Sequence, residues 1–171
     1  MHKSRPYTNE TFTKRVDHEA GRHRGVRAPR GPAVCPACRS AYLNRRWVGG
    51  KDPRAILARQ QPGVRALLCA ACRMTADGEW RGELRLAGTF LAQHRAEVER
   101  LIRNEAKRAA EDNPLARIVR QDWSAGRLTV LTTTEHLAKR LGRGLVKAYD
   151  GKARYRFGHE NKTAYVTWMR V

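Results

Sequence analysis

The chain has 171 residues, with 35 Lys and Arg against 16 Asp and Glu, a formal net charge of +19 and 41% hydrophobic residues. This apolar content excludes a disordered chain and is enough for one ordinary domain or two small ones. So large a basic excess resists compaction by self-repulsion, and it favours a polyanionic partner, with nucleic acid ahead of a membrane surface.

The start of the sequence, MHKSRPYTNETFTKR, has no apolar segment typical of a secretory signal. No uninterrupted apolar run approaches the roughly 20 residues that span a bilayer. We therefore expect a cytoplasmic protein without a membrane partner. Reducing conditions in that compartment keep thiols free, which disfavours disulfides and leaves metal binding or redox chemistry as uses for paired cysteines.

Residues 1–34 carry eight Lys and Arg against three acidic residues, with several Gly and Pro and no periodic apolar pattern. The last part reads GRHRGVRAPRGP. This composition predicts a basic, largely extended arm, and an unstructured, solvated tail fits the charge run equally well.

The four cysteines form two C-x2-C pairs within residues 35–83, CPAC at Cys35 and Cys38 and CAAC at Cys69 and Cys72. Each pair supplies two thiolates from one tight turn, and two pairs complete the tetrahedral shell of a structural zinc ion. The 30-residue spacer is longer than usual, which a zinc ribbon accommodates with a longer hairpin or an inserted helix. We therefore predict one structural Zn2+ held by these four residues.

Two other uses of paired cysteines fit this sequence less well. A thioredoxin-like redox site has one C-x-x-C at the start of a helix in a β-α-β context, which neither pair shows. A catalytic zinc keeps an open coordination position, usually beside His or carboxylate ligands, and a four-thiolate shell leaves none open.

Between the two pairs, Asp52 and Pro53 in KDPRAILARQ predict a short helix with an Asp N-cap and Pro at its first position. Trp47, beside two arginines of this loop, is a candidate for stacking on an unpaired base. We expect the metal to hold the basic side chains of the loop in place for binding nucleic acid. These side chains are Arg45, Arg46, Lys51, Arg54 and Arg59.

Residues 84–122 are predicted to form a helical linker. From Gly82, apolar residues recur at helical spacing up to about Ala110, which predicts an amphipathic helix of about 25 residues. His94 falls on the apolar side of this helix, where a packing role is favoured. Asn113 followed by proline ends the helix, and a second short helix is expected in LARIVRQDW before the turn SAG.

The last predicted domain, residues 123–171, has the order β-α-β-β and is closed by an antiparallel hairpin. RLTVLT alternates as a strand, TTTEHLAKRLGRGLVKAYDG combines capping threonines with a leucine every fourth residue, and KARYRF and TAYVTWM alternate around the turn GHENK. The predicted fold class is α+β: a zinc ribbon, a long linking helix and a small β-α-β-β domain with its helix on one face of the sheet.

Basic residues follow one side of each predicted element in this domain. Because side chains alternate across a strand, Ala153, Tyr155 and Phe157 should lie in the core against the helix, and we expect Tyr155 and Trp168 to be buried. Cations four residues apart on the helix repel one another, a cost that a phosphate backbone would reverse. The predicted nucleic-acid contacts here are Lys139, Arg140, Arg143, Lys147, Lys152, Arg154 and Arg156.

No catalytic group stands out. The six histidines have no Ser, Cys or carboxylate partner at a recognisable spacing, and no phosphate-binding glycine loop, dinucleotide fingerprint or metalloprotease motif occurs. We therefore expect a protein that binds its partner without catalysis and has no small-molecule substrate.

The two CxxC knuckles, the long helix after them and the β-α-β-β unit resemble the zinc-binding amino-terminal region of the archaeal and eukaryotic adaptor family that escorts the large ribosomal subunit. The matching parts are CPAC and CAAC, the helix from Glu83 on, and RLTVLTTTEHLAKRLGRGLVKAYDGKARYRF with TAYVTWMR. The arrangement is also similar to a family of short, uncharacterised bacterial proteins with an arginine-rich lead into CPxC and a following Tyr and Arg-Trp, as in AYLNRRW. The resemblance covers residues 22–170.

This resemblance implies binding to ribosomal RNA or the large ribosomal subunit, ribosomal proteins as further partners, and the four cysteines as zinc ligands. The adaptor family has further knuckles and domains that this sequence does not contain, so the resemblance does not extend to nuclear export. Two alternatives stay open: a DNA-binding or transcription-associated zinc ribbon, and a protein-interaction adaptor that uses the long helix. No helix with base-reading residues near its start supports the DNA alternative.

Overall fold

The computed structural model describes residues 29–158 and 163–171. Within these ranges the chain has four helices and two sheets, so the expected α+β class is confirmed. The predicted basic arm, apart from its last six residues, and the predicted turn GHENK, apart from its glycine, lie outside the described residues.

The first sheet has four short strands in the order β3-β2-β1-β4. This unit consists of β1 (Ala33–Val34), β2 (Ala41–Leu43), β3 (Arg46–Val48), α1 (Pro53–Gln60), β4 (Arg65–Ala66) and α2 (Ala70–Ala76). Helix α1 begins as predicted: Pro53 lies in its first turn, and the Asp52 carboxylate accepts a hydrogen bond from the backbone N–H of Arg54 at 2.8 Å.

The second sheet has five strands in the order β6-β7-β5-β9-β8. This unit consists of β5 (Gly82–Ala87), α3 (Phe90–Asp112), β6 (Ile118–Ser124), β7 (Arg127–Thr132), α4 (Glu135–Tyr149), β8 (Lys152–Gly158) and β9 (Thr163–Met169). Neighbouring strands are antiparallel, except that β5 and β9 are parallel. The two helices pack on one face of the sheet and share one hydrophobic core with it.

Helix α4 and the strands around it agree with the sequence pattern. The Thr134 hydroxyl accepts a hydrogen bond from the backbone N–H of Leu137 at 3.3 Å, which caps the helix. Leu137, Leu141 and Leu145 are fully buried, and the chain leaves the helix through Gly151, whose φ is +84°. The predicted strands RLTVLT, KARYRF and TAYVTWM are β7, β8 and β9.

The segment before α3 is a strand, so the predicted long helix starts too early in the sequence. In β5, Leu84 and Leu86 are fully buried and Arg85 between them is exposed, which is the alternation of a strand. Gly88 ends the strand with a φ of +118°, and a Cβ there would overlap the carbonyl oxygen of Arg170. The leucines of β5 also fit helical spacing with the apolar residues of α3, which explains the wrong boundary.

The residues predicted to form a short helix after α3 are strand β6. Ile118 and Val119 are β-branched and Trp123 is aromatic, and these residue types favour strands. Ala125 and Gly126 both have positive φ, at 48° and 71°. Two consecutive residues of this kind form the type I′ turn that joins antiparallel strands, so β6 and β7 form a hairpin.

Helix α3 packs into the five-stranded unit along its length. Leu91, Val98 and Ile102 are fully buried in one cluster with the leucines of α4 and the inner residues of the sheet. Trp168 is 1% exposed, as expected, whereas Tyr155 is only partly buried against this core. The segment predicted to be a linker, 84–122, therefore contributes most of β5, all of α3 and most of β6 to this unit.

Candidate metal centre and nucleic-acid interface

The four cysteines converge in the first unit. Cys35 and Cys38 lie in the turn after β1, where the backbone N–H of Cys35 donates to the carbonyl oxygen of Ser40 at 2.8 Å. Cys69 caps α2 and accepts a hydrogen bond at Sγ from the backbone N–H of Cys72 at 3.4 Å. The four sulfur atoms all lie within 4.8 Å of one another, so they could hold a metal ion.

The spacing of the sulfur atoms fits a tetrahedral thiolate site. Zinc–sulfur bonds of about 2.3 Å give sulfur–sulfur distances of about 3.8 Å in a tetrahedron. Cys38 Sγ and Cys69 Sγ, which belong to different pairs, lie 3.7 Å apart, and all four thiols are free. Cys35 and Cys69 are fully buried and the other two are half-buried, so a bound ion would be largely shielded from water.

Without a metal the thiols differ in their acidity. Hydrogen bonding with Cys69, followed by contact with Ser40, lowers the pKa of Cys38 to about 4. The same contact with Cys38, together with burial, raises the pKa of Cys69 well above its ordinary range. Burial raises the pKa of Cys72 to about 11. Because a coordinating cation deprotonates its thiol ligands outright, metal binding here would release protons.

The first unit has little apolar packing to stabilise it. Its buried cluster consists of Ala41, Val48, Ala55 and Ala58. Small side chains and strands of two or three residues bury little apolar surface, so hydrophobic stabilisation is weak. A metal bound by the cysteines would supply what this core lacks.

The face of the five-stranded sheet opposite the helices carries three rows of side chains that cross all five strands; we call it the open sheet face. Strand register places Arg120, Leu131, Glu83, Tyr165 and Arg156 in the first row. The second row contains Asp122, Thr129, Arg85, Thr167 and Arg154. The third row contains Ser124, Arg127, Ala87, Met169 and Lys152.

Positive charge dominates the open sheet face. Its two acidic residues are paired on the face itself: Glu83 lies 2.6 Å from Arg85 Nε, and Asp122 pairs with Arg120. The remaining cations have no acidic partner within residues 29–158 and 163–171. These cations are Arg127, Lys152, Arg154 and Arg156.

Strand β8 forms one edge of the sheet, and exposed cations lie on both faces of the sheet along this edge. On the helix side, Arg143 and Lys147 of α4 line a depression together with Ala153 and Tyr155 of β8. The basic residues of β8 project from the other side, onto the open sheet face. We call these five exposed cations the edge patch: Arg143, Lys147, Lys152, Arg154 and Arg156.

Arg140, predicted to contact nucleic acid, is paired within the protein. It donates to Glu105 Oε2 at 2.9 Å and to Asp112 Oδ2 at 3.1 Å, and both carboxylates belong to α3. The hydrogen bond from Arg140 lowers the pKa of Glu105 below its ordinary value. Arg140 therefore holds α4 against α3, and a contact with phosphate would cost it these two ion pairs.

Lys139 is also engaged within the protein. Its Nζ lies 3.5 Å from Glu135 Oε1 and 5.2 Å from the centroid of the Phe157 ring. Phe157 was expected in the core but is 52% exposed, because it lies near the end of an edge strand. Its contact with Lys139 covers only part of the ring. Of the predicted basic stripe of α4, only Arg143 and Lys147 therefore have no partner within the described residues.

In the cysteine loop, two of the predicted basic residues have structural roles. Arg54 Nη2 lies 2.7 Å from Asp52 Oδ2, and the hydrogen bonds from Arg54 lower the pKa of Asp52 to about 2. Arg59 Nη1 donates to the carbonyl oxygens of Arg39 and Gly50, each at 2.9 Å. The other three predicted basic residues, Arg45, Arg46 and Lys51, are exposed and have no side-chain partner in the described part of the chain.

The structure changes which aromatic residue is the better candidate for stacking. Trp47 is half-buried, with its ring centroid 5.5 Å from that of Tyr42, and it packs against the cysteine cluster. Tyr165, one of the aromatic residues in the basic regions that the sequence suggests for stacking but places behind Trp47, is 41% exposed on the open sheet face. The alternation in TAYVTWM, which places Tyr165 on the side opposite the buried Trp168, is the signal that could have identified it.

None of the helices in residues 29–158 or 163–171 combines the length and the apolar composition needed to cross a membrane. Comparison with family models, with curated proteins and with solved structures finds no match to this chain. The resemblance to the large-subunit adaptor family therefore stays a prediction, and the functional conclusion depends on the chain's own residues.

Proposed function

We propose that the protein is a zinc-ribbon RNA-binding protein, and that it binds its partner without catalysing a reaction. The zinc ion would be held by Cys35, Cys38, Cys69 and Cys72, whose sulfur spacing suits a tetrahedral ion. The edge patch would contact the RNA backbone. The observation that carries the proposal is the concentration, along β8 and α4, of cations that have no ion-pair partner in the described residues.

The charge arrangement supports a polyanionic partner. Arg143 and Lys147 are one helical turn apart and repel each other by a few tenths of a kcal/mol, a cost that phosphate contact would reverse. Glu105 and Asp112 are engaged by Arg140, and Glu83 by Arg85. Asp150, between α4 and β8, is exposed and makes no ion pair with the edge patch in the described residues. The five cations of the edge patch therefore outnumber the one nearby carboxylate that is not engaged, and the whole chain carries a formal charge of +19.

RNA fits these features better than the alternatives do. An adaptor that uses the long helix would need an exposed apolar side, but the apolar residues of α3 are buried in the core. A DNA-reading module would need an exposed helix or ribbon with base-reading side chains. The cations here are suited to phosphate, and the exposed Tyr165 is suited to unpaired bases, which RNA commonly offers.

A ribosomal partner is the narrower form of the proposal, and the family resemblance is its support. The test is to fractionate a lysate that contains the tagged protein on a sucrose gradient, at low and at moderate salt. Co-migration with the large subunit that survives moderate salt is the expected result. A protein that stays at the top of the gradient, or leaves the subunit after a small increase in salt, would contradict the ribosomal partner.

RNA binding itself is tested with the purified, zinc-loaded protein and a structured RNA, with duplex DNA as the competitor at equal salt. We expect the RNA to bind more tightly than the DNA. Replacing Arg143 and Lys147 together by Glu should weaken RNA binding. It should also reduce the slope of log affinity against log salt by about 1 for each cation that contacts a phosphate.

The matched control is a variant with Arg100→Glu and Lys107→Glu, which makes the same charge change at two exposed cations of α3 that have no ion pair in the described residues. This control should keep most of the RNA affinity and salt slope. If both variants lose the same RNA affinity, the loss comes from the change in net charge and not from the position of the cations. An unchanged slope in the α4 variant would remove this helix from the interface.

A further inference from the structure

The open sheet face has a track of uncharged side chains along β9. Tyr165 is 41% exposed and Met169 52% exposed, and Thr167 between them is also exposed. Strand β9 lies between β5 and β8, so these side chains belong to an interior strand and not to an edge strand. Large apolar and aromatic groups left open among charged side chains point to a ligand that covers them.

Each residue of this track has a cation directly beside it on β8. The register pairs are Tyr165 with Arg156, Thr167 with Arg154, and Met169 with Lys152. Alternate residues of a strand are about 6.8 Å apart, so the three cations repeat at that interval parallel to the track. An extended single strand of nucleic acid has matching parts: bases on one side, and phosphates on the other at a comparable spacing.

The track is also concave. Two adjoining depressions cover it, one containing Tyr165 and the other containing Met169. Arg85, Arg154 and Thr167 line both depressions, so the two are continuous. Cations of β8 line the groove on one side, and Arg85 and Arg127 line it on the other. A continuous groove lined by cations suits a linear polyanion better than it suits a compact anion.

The aromatic ring at the end of the groove is held in position. The rings of Tyr165 and Trp80 meet edge to face, with their centroids 5.8 Å apart and an angle of 85° between their planes. This geometry is favourable for aromatic pairs. Because the contact restricts the Tyr165 ring before a ligand arrives, stacking of a base on it would cost little ordering entropy.

Basic side chains on an edge strand have another known use, since they prevent two sheets from pairing edge to edge. That use accounts for Lys152, Arg154 and Arg156. It does not account for the open Tyr165 and Met169 on the neighbouring interior strand, or for the groove that joins them.

We infer that the open sheet face binds an unpaired stretch of RNA, with a base stacked on Tyr165, further bases over Thr167 and Met169, and phosphates along the cations of β8. This inference rests on the proposed RNA-binding function and adds that this face recognises single-stranded parts of the RNA. A double helix keeps its bases stacked inside and presents mainly its backbone, so it cannot use the track.

The test measures the affinity of the zinc-loaded, full-length protein for a short single-stranded RNA of mixed sequence and for the same strand annealed to its complement. Tyr165→Leu removes the ring and keeps an apolar side chain at an exposed position. We expect it to weaken single-strand binding about tenfold or more, the usual effect of losing one stacked base, while duplex binding stays the same. Tyr165→Phe keeps the ring and should bind both RNAs as the wild type does.

Phe157→Leu is the matched control, because it removes an exposed aromatic ring from the same hairpin on the helix side of β8. It should change neither the affinity for the single strand nor the affinity for the duplex. Melting temperatures equal to that of the wild type will show that the variants are folded. If Tyr165→Leu is unstable, Met169→Ser provides a second test with the same expectation. If the Tyr165→Leu variant binds both RNAs as the wild type does, or loses affinity equally for both, this inference is wrong and the proposed function is unaffected. If the wild-type protein binds neither RNA, the proposed function is wrong.

Discussion

At the scale of single residues, the close packing of α4 on the sheet depends on the glycine at position 82. A Cβ on Gly82 would lie 2.6 Å from the Cβ of Ala138 and 2.9 Å from the carbonyl oxygen of Thr134, and it would overlap the hydroxyl of Thr132. Thr132 is fully buried, and its hydroxyl donates to the carbonyl oxygen of Thr134 at 2.8 Å. The start of α4 could make room for a methyl group only by moving away from β5.

We therefore predict that Gly82→Ala lowers the free energy of unfolding by about 1–3 kcal/mol, the usual cost of overpacking a core. Thermal and denaturant unfolding measure the change. Gly158→Ala is the control, since Gly158 also lies in a strand but a Cβ there would have its nearest neighbours at 3.7 Å, an ordinary contact. Equal effects of the two substitutions would show that glycine in a strand, and not the contact with α4, sets the loss.

The cysteine cluster could be predicted from sequence because its signal is local. The two cysteines of each CxxC pair lie in one turn, so the spacing alone indicates that the thiols of a pair lie close together. Tyr165 carries no such local signal, because its neighbours Glu83 and Arg156 come from other strands of the sheet. Its place in the open sheet face depends on strand register, which the sequence pattern alone does not define.

At the scale of elements, α3 and α4 are joined by ion pairs as well as by the core. Arg140 bridges Glu105 and Asp112, and this pairing lowers the pKa of Glu105. A carboxylate with a lowered pKa in the folded state adds stability that is fully present above its ordinary pKa of 4.5. That stability is lost as the pH falls through the lowered value.

Glu105→Gln should accordingly lower the free energy of unfolding by about 1 kcal/mol at neutral pH, within the range of partly exposed ion pairs. The difference from the wild type should shrink as the pH falls below 4.5, the ordinary glutamate value. Denaturant unfolding across this pH range measures both effects. Glu111→Gln on the exposed side of the same helix is the control and should behave as the wild type does. A difference that does not change with pH would assign the effect to packing.

Helix α4 and strands β7 to β9 could be predicted because caps, periodicity and turns agree there. The segments on either side of α3 could not, because two patterns compete. The leucines of β5 fit both strand alternation and helical spacing, and only the backbone turn at Gly88 separates the strand from the helix. In β6, the two-residue turn at Ala125 and Gly126 is the stronger signal, since it pairs the preceding residues with β7.

At the scale of the whole molecule, the two units differ in what stabilises them. The five-stranded unit buries a cluster of leucine, valine and isoleucine residues with Trp168 between its helices and its sheet. The first unit buries mainly alanines and the cysteines. A structural zinc ion contributes on the order of 10 kcal/mol of folding free energy in small peptides, so the first unit is the part that should depend on metal.

We therefore predict that removing the metal with a chelator exposes the backbone amides of the first unit, whereas β5, β7 and β9 stay protected. Hydrogen exchange followed by mass spectrometry measures this region by region, with the zinc content determined on the same samples. Cys69→Ser should give the same pattern without chelator, because it removes one thiolate while serine can still cap α2. Protection that persists in the metal-free first unit would show that the metal is not structural. Loss of protection in both units together would show that they unfold as one, so that the large core also depends on the ion bound by the cysteines.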